Sequence, residues 1–261
     1  MKIIFSLLLL FPAVVLAQSP FDGTWIAKLD TAQLPKRPEV YVLQSGAYEC
    51  LSCVPNIKTH ADGKDHPIAG SPYFSTVSIR VIDNNRIQLT EKQDGKVVYS
   101  ETDTVSPDGD TLQQNIVDSA APTGQPVTAE EAYRRVSPGP TGSNALSGSW
   151  QARKINVISE NGTTVTYRST PQGLQASNPG GEGYDAKFDG KEYPTHRDPA
   201  HSTVSVKRIS ANTILEIDKQ DGRVHYRLRL AVSPDGKSMK VIETDKERGT
   251  KMTYIMEKKS Q

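Results

Sequence analysis

Residues 75–99 of this chain, STVSIRVIDNNRIQLTEKQDGKVVY, return almost letter for letter as residues 202–226, STVSVKRISANTILEIDKQDGRVHY. The shift is 202 − 75 = 127 positions, and shorter matches keep it: ADGKDHP at 61–67 answers FDGKEYP at 188–194, and SPDG at 106–109 answers SPDG at 233–236. Near the start of each copy the shift is smaller, since Trp25 in DGTW and Trp150 in SGSW stand 150 − 25 = 125 apart. One small insertion therefore separates the copies close to their beginnings. A chain written twice folds either as two like units or as one larger closed sheet drawn from both halves, because each copy must bury the same apolar face.

The hydrophobic period is two almost throughout. In residues 224–232, VHYRLRLAV, the side chains of Tyr226, Leu228, Leu230 and Val232 alternate with Arg227, Arg229 and Ala231, the pattern of a half-buried antiparallel strand. Met252, Tyr254 and Met256 read the same way, as do Leu215 and Ile217 in ILEID and Val77, Ile79 and Val81 in TVSIRV. In the second copy this predicts strands near 149–157, 163–169, 173–177, 183–189, 202–209, 213–219, 223–232, 237–245 and 250–258. The segment AEEAY at 129–133 is the one place with a helical alternative, and its match to the alternating MTYIM makes it a strand.

Turn signals separate these runs: Asp-Gly at 94–95 and 221–222, Pro-Asp-Gly at 107–109 and 234–236, and Asn-Gly at 161–162. Such pairs accept the positive φ angles of tight hairpins, so consecutive strands are expected to pair antiparallel, the Asn161-Gly162 step included. The number of strands per copy is what an up-and-down sheet needs to close and remove its edges. Residues 138–147, rich in Pro, Gly and Ser, read as the linker between copies.

Composition bounds compartment and partners. Residues 1–17, MKIIFSLLLLFPAVVLA, join Lys2 to a short apolar run and to small side chains at Val15 and Ala17, the pattern of a secretory signal cleaved after Ala17. An exported product, periplasmic or secreted, is the expectation. No later run reaches the roughly 18 apolar residues of a membrane-spanning helix. Without Lys2 the 31 basic residues become 30, equal to the 30 acidic ones, so a nucleic-acid partner is not expected.

The chain has two cysteines, Cys50 and Cys53, in YECLSC. In an oxidising compartment this pair is expected to close as a local disulfide. The C-x-x-C spacing also occurs in thiol–disulfide catalysts, but those place the first cysteine at a helix N-terminus, and here a strand-like segment precedes it. A zinc reading that adds His60 and His66 has too short a gap before the first histidine, so no metal and no cofactor are expected. Arg168 and Ser169 stand in the corresponding stretch of the second copy, which leaves the clip to the first.

Each copy opens on Gly-x-Trp, Gly23-Thr24-Trp25 and Gly148-Ser149-Trp150, followed by a meander of strands. In this the chain resembles the calycin group, the lipocalins and related small barrels, and is similar to duplicated exported bacterial proteins of unassigned function. The resemblance implies an all-β fold of two tandem antiparallel up-and-down barrels: a signal peptide at 1–17, a first barrel at 18–137, the linker at 138–147 and a second barrel at 148–261. It further implies that Trp25 and Trp150 close the barrel ends beneath a basic side chain from the last strand, Arg134 or Arg135 for Trp25 and Lys258 for Trp150.

In such barrels the interior is the expected working surface. Tyr99, Tyr167, Tyr226 and Tyr254 are the candidate ligand-binding residues, since they combine an apolar ring with a hydroxyl among alternating apolar positions. The leading expectation is an exported protein that holds a small apolar or amphipathic molecule inside a barrel. An enzyme on the same scaffold would use tyrosine or histidine as acid or base, with His225, Tyr226 and the loop bearing His196, Asp198 and His201 as candidates, although no catalytic motif is present. A third alternative is an envelope or extracellular interaction module with filled barrels.

Overall fold

The computed structural model describes residues 19–260, so the expected signal segment at 1–17 lies outside the described residues. The chain forms β1 (Gly23–Gln33), β2 (Glu39–Gln44), β3 (Ala47–Cys50), β4 (Ile57–His60), β5 (His66–Pro67), β6 (Thr76–Val81), β7 (Arg86–Gln93), β8 (Lys96–Val105), β9 (Thr111–Asp118) and β10 (Val127–Pro138). There follow β11 (Gly148–Ile158), the single-turn helix α1 (Glu160–Thr163), β12 (Thr164–Ser169), β13 (Gly173–Ser177), β14 (Gly183–Lys187), β15 (Tyr193–His196), β16 (Thr203–Ser210), β17 (Thr213–Gln220), β18 (Arg223–Val232), β19 (Ser238–Asp245) and β20 (Thr250–Lys258). Among the described residues no helix is long and apolar enough to cross a membrane.

The strands make two antiparallel ten-stranded sheets. One is a closed barrel in the order β1-β12-β13-β14-β15-β16-β17-β18-β19-β20. The other runs β4-β3-β2-β11-β10-β9-β8-β7-β6-β5 and is nearly closed, its two ends being β4 and β5. The all-β, two-barrel architecture is thus present, with an exchange: the first strand of each sequence copy is built into the sheet of the other. β1 pairs with β12 through Gly23↔Tyr167 to Ile26↔Thr164 and with β20 through Trp25↔Lys258 to Lys28↔Ile255. β11 in turn pairs with β10 along its length and with β2 through Gly148↔Tyr41 to Trp150↔Glu39.

Local sequence explains the crossing. Residues 34–38, LPKRP, carry two prolines between β1 and β2, which remove two N–H donors and favour extended backbone over a tight return. The chain leaves one sheet there and enters the other. The matching exit, between β11 and β12, is α1, so the Asn161-Gly162 step is not the expected hairpin turn: its flanking strands lie in different sheets. The residues read as a linker instead connect two strands that pair with each other, β10 and β11, and Leu146 and Ser147 within them are buried, the Ser147 Oγ accepting from the Leu43 N–H at 2.8 Å.

The exchange reverses the expected tryptophan closures. Arg135 lies over Trp150, its guanidinium carbon 4.0 Å from the ring centroid, and Lys258 lies over Trp25 at 4.8 Å. Each cation still comes from the last strand of its own sequence copy, but the tryptophan beneath it comes from the other copy. Both rings are fully buried, and each indole N–H donates to the carbonyl four residues back, Trp25 to Phe21 at 2.8 Å and Trp150 to Leu146 at 2.7 Å. The Gly-x-Trp glycines leave room for these cations: a Cβ on Gly148, at φ +134°, would sit 2.8 Å from Nη1 of Arg135, and one on Gly23 would touch the Lys258 stem. Arg135 also donates to the carbonyls of Gly109, Ser147 and Ala145, whereas Lys258 reaches one, Pro20 at 3.2 Å.

Several local expectations are met. Asp94-Gly95 and Asp221-Gly222 have positive φ and join β7 to β8 and β17 to β18. AEEAY lies within β10. Cys50 and Cys53 form a disulfide. By register the counterpart of Cys50 is Ala176, which faces Tyr167 as Cys50 faces Tyr41, rather than Arg168 or Ser169. The segment at 193–196 is strand β15, not loop, and β14 pairs with it to complete the closed barrel.

Candidate functional site

The inward face of the closed barrel can be followed as rungs running from strand to strand. Nearest the Trp25 end, Val232, Met239, Met256 and Ala27 lie side by side across β18, β19, β20 and β1. The next rung is Ile214, Leu230, Val241 and Tyr254. Then the chemistry changes: Val206, Glu216, Leu228, Glu243 and Met252 form the third rung, and Val204, Asp218, Tyr226 and Asp245 the fourth. The interior thus grades from wholly apolar to acidic along its axis.

This gradient corrects one strand. The apolar pair Leu215 and Ile217 was expected to face the core, but Ile214 and Glu216 are buried and Leu215 and Ile217 are only partly so. Both faces of ILEID carry apolar residues, so alternation alone cannot set the phase. Cross-strand packing against Leu230 and Val206 sets it.

Two adjoining cavities reach into the barrel, the first extending out to Asp118, Val127, Ile155 and Ile158 of the other sheet. One of about 560 Å³ reaches Leu230, Val241, Met256, Tyr254, Glu216 and Glu243. Its wall is incomplete where β1 departs from β12 beyond Ile26, and Ile155, Ile158 and the α1 turn cover that gap. The second, of about 530 Å³, opens past Tyr184, Asp218, His225 and Tyr226. Val165, Tyr167, Asn178, Glu182 and Glu216 line both, so the cavities meet along that strip. A larger surface depression, about 930 Å³, lies outside the barrel among Asp22, Asp235, Lys237 and Lys258 and shares none of this interior.

Glu216 stands at the junction. Its Oε2 accepts the Tyr184 hydroxyl at 2.7 Å, and among the described residues nothing donates to Oε1. Burial, with the neighbouring Asp218 charge, pushes its carboxyl up to about 8. Asp218 is raised by burial and by Glu243, with His225 pulling the other way, and Glu243 is raised by burial and by Asp245. Among the described residues no lysine, arginine or histidine lies within ion-pair distance of Glu216, Asp218 or Glu243, whereas Arg248 faces Asp245.

Three of the four candidate tyrosines, Tyr167, Tyr226 and Tyr254, therefore line this space, and Tyr99 lies in the other barrel. Burial holds the Tyr167 and Tyr184 phenols well above their usual range and Tyr226 up to about 12, so they act as hydrogen-bond donors rather than bases. His225 sits at the mouth, edge-on to Tyr226 and 3.0 Å from Glu247. His196 and His201 are exposed, and Asp198 is spent on its own loop, accepting from the Ala200 and Ser202 N–H groups and the Thr195 hydroxyl.

The nearly closed barrel distributes the same residue types differently. Leu89 and Ile116 occupy the rung positions of Glu216 and Glu243, while Glu101, Asp103 and Gln114 replace Leu228, Leu230 and Val241. There the polar atoms bond one another, apart from Asp103 Oδ2, which has no partner. Gln114 donates to Glu101 at 2.8 Å and to Asp103 at 2.9 Å, and Tyr99 donates to Glu101 at 2.5 Å. Burial raises both carboxyls; the Asp103 charge raises Glu101 further, while hydrogen bonds to Glu101 and Gln114 pull Asp103 the other way.

The sequence reading does not include the carboxylates of either interior, because a charged residue in an alternating strand reads as its outer face, as Arg227 and Arg229 do in β18. The usable signal was the loss of equivalence between copies, Glu216 against Leu89 and Asp103 against Leu230. No family model matches this chain, and a search of curated proteins gives no match.

Proposed function

We propose that the protein is an exported binding protein that holds one small amphipathic molecule inside the barrel closed by Trp25. The observation that carries this reading is the interior gradient: a cavity with an apolar floor at Leu230, Val241 and Met256 and a polar upper wall at Glu216, Glu243 and Tyr167. Mostly apolar cavities with a few placed polar groups are typical small-molecule sites. Export is supported by the pattern of residues 1–17 and by the disulfide, and the resemblance to duplicated exported bacterial proteins agrees with it.

The neutral fluorophore N-phenyl-1-naphthylamine tests the reading. The full chain is expected to bind it saturably and to lose that binding when Val241→Trp fills the floor. Absence of saturable binding, together with absence of any retained mass in native mass spectrometry, would contradict it. The rival reading, an enzyme at the mouth, has the His225–Glu247 contact in its favour, but the phenols around it are held protonated.

A further inference from the structure

We infer that the polar end of the ligand is a cation, so that this barrel is selective for amphiphilic amines; the inference rests on the carrier reading above. An acidic group inside a protein is ordinarily paired with a cation or hydrogen-bonded on all sides, because desolvating it alone is costly. In the other barrel Glu101 accepts from both Tyr99 and Gln114 and Asp103 accepts from Gln114, with Asp103 Oδ2 left without a partner. Glu216 is 7% exposed, accepts from one group among the described residues, the Tyr184 hydroxyl on Oε2, and lines both cavities. Glu243 faces it across Leu228 on the same rung, and Asp218 stands one rung further from the floor.

Glu216, Glu243 and Asp218 thus face the upper part of a space whose lower part is hydrocarbon, and among the described residues no lysine, arginine or histidine lies within ion-pair distance to neutralise them: Lys28 pairs with Glu257, Lys219 with Glu192 and His225 with Glu247. A ligand ammonium group between Glu216 and Glu243 would supply that charge, and its alkyl or aromatic body would run down past Leu230 and Val241 toward Met239 and Met256. Tyr184 would remain on Oε2, leaving Oε1 for the ammonium N–H. An anionic head group would meet carboxyls and the lone-pair side of nothing that donates except phenols. The depth of the apolar rungs excludes a compact polyamine, which would leave the floor unfilled.

Three twelve-carbon probes separate the possibilities: dodecylamine, dodecanol and dodecanoate, each displacing N-phenyl-1-naphthylamine from the full chain below its micellar concentration. The amine is expected to displace at a concentration at least about tenfold lower than the alcohol, as charge-assisted hydrogen bonds imply, with dodecanoate weakest. In the double variant Glu216→Gln, Glu243→Gln the amine is expected to fall to the level of the alcohol measured on that same variant. Equal displacement by amine and alcohol, a preference for dodecanoate, or an amine advantage that survives the double substitution would each overturn the inference while the carrier reading stands. Failure of all three chains to displace the fluorophore would overturn both.

Discussion

Replacing Trp25 with alanine is expected to destabilise the barrel made from residues 164–258, and not the sheet containing the rest of the copy in which Trp25 is encoded. The indole is fully buried among Leu174, Val206 and Met239, holds the Phe21 carbonyl and lies beneath Lys258. Truncating such a ring costs about 3–5 kcal/mol through lost burial and the void left behind. Trp150→Ala is expected to do the same to the other sheet, where Trp150 packs in the cluster of Leu43, Ile79 and Leu112. Amide hydrogen exchange checks this directly: Trp25→Ala should lower protection over β16–β20, and Trp150→Ala over β6–β10. Loss of protection in the tryptophan's own sequence copy would contradict the exchange.

Glu216→Gln is expected to stabilise the closed barrel in alkaline solution and to leave it nearly unchanged in acid. The unfolded chain releases this proton near the ordinary value of 4.5, while the folded barrel keeps it until about 8. Between those values the native state binds the extra proton, so stability is greatest below 4.5 and declines as pH rises toward 8. The ionised carboxylate above that range costs the fold on the order of 3–5 kcal/mol, which the neutral amide avoids while still accepting from Tyr184. Urea unfolding of Trp150→Phe protein, in which Trp25 alone reports the closed barrel, should show the gain at about pH 9 and little at about pH 4. A variant no more stable than its parent in alkali would show that Glu216 is not held in a desolvated place.

Much of the fold was legible because a strand with one face on a core and one in water writes its period into the sequence, as VHYRLRLAV does in β18. Turn chemistry was equally local: Asp94-Gly95 and Asp221-Gly222 name their hairpins. Pairing partners were not, because identical copies offer β1 two equivalent slots and periodicity cannot distinguish them. What distinguishes them is the connection, two prolines at 35 and 38 in one copy and a helical turn at 160–163 in the other. The tryptophan closures went to the wrong partners for that reason, though the cations themselves, Arg135 and Lys258, were in the sequence reading.

The candidate site was half legible. Tyr167, Tyr226 and Tyr254 fell on inward positions of alternating strands and do line the cavity. Glu216, Glu243 and Asp218 did not stand out, because a carboxylate in an alternating strand looks like its solvent face, and ILEID offers apolar residues on both sides. Only the register against β16 and β18 turns Glu216 inward.

Cutting the chain between the halves tests the exchange most directly. A protease site placed at Gly142, in the exposed turn between β10 and β11, leaves β1 with one fragment and its sheet partners β12 and β20 with the other, while β11 and β10 are divided the opposite way. After cleavage the two fragments are expected to co-elute as one particle of full mass under native conditions and to separate only in denaturant. Fragments that part in native buffer as two intact barrels would contradict the account.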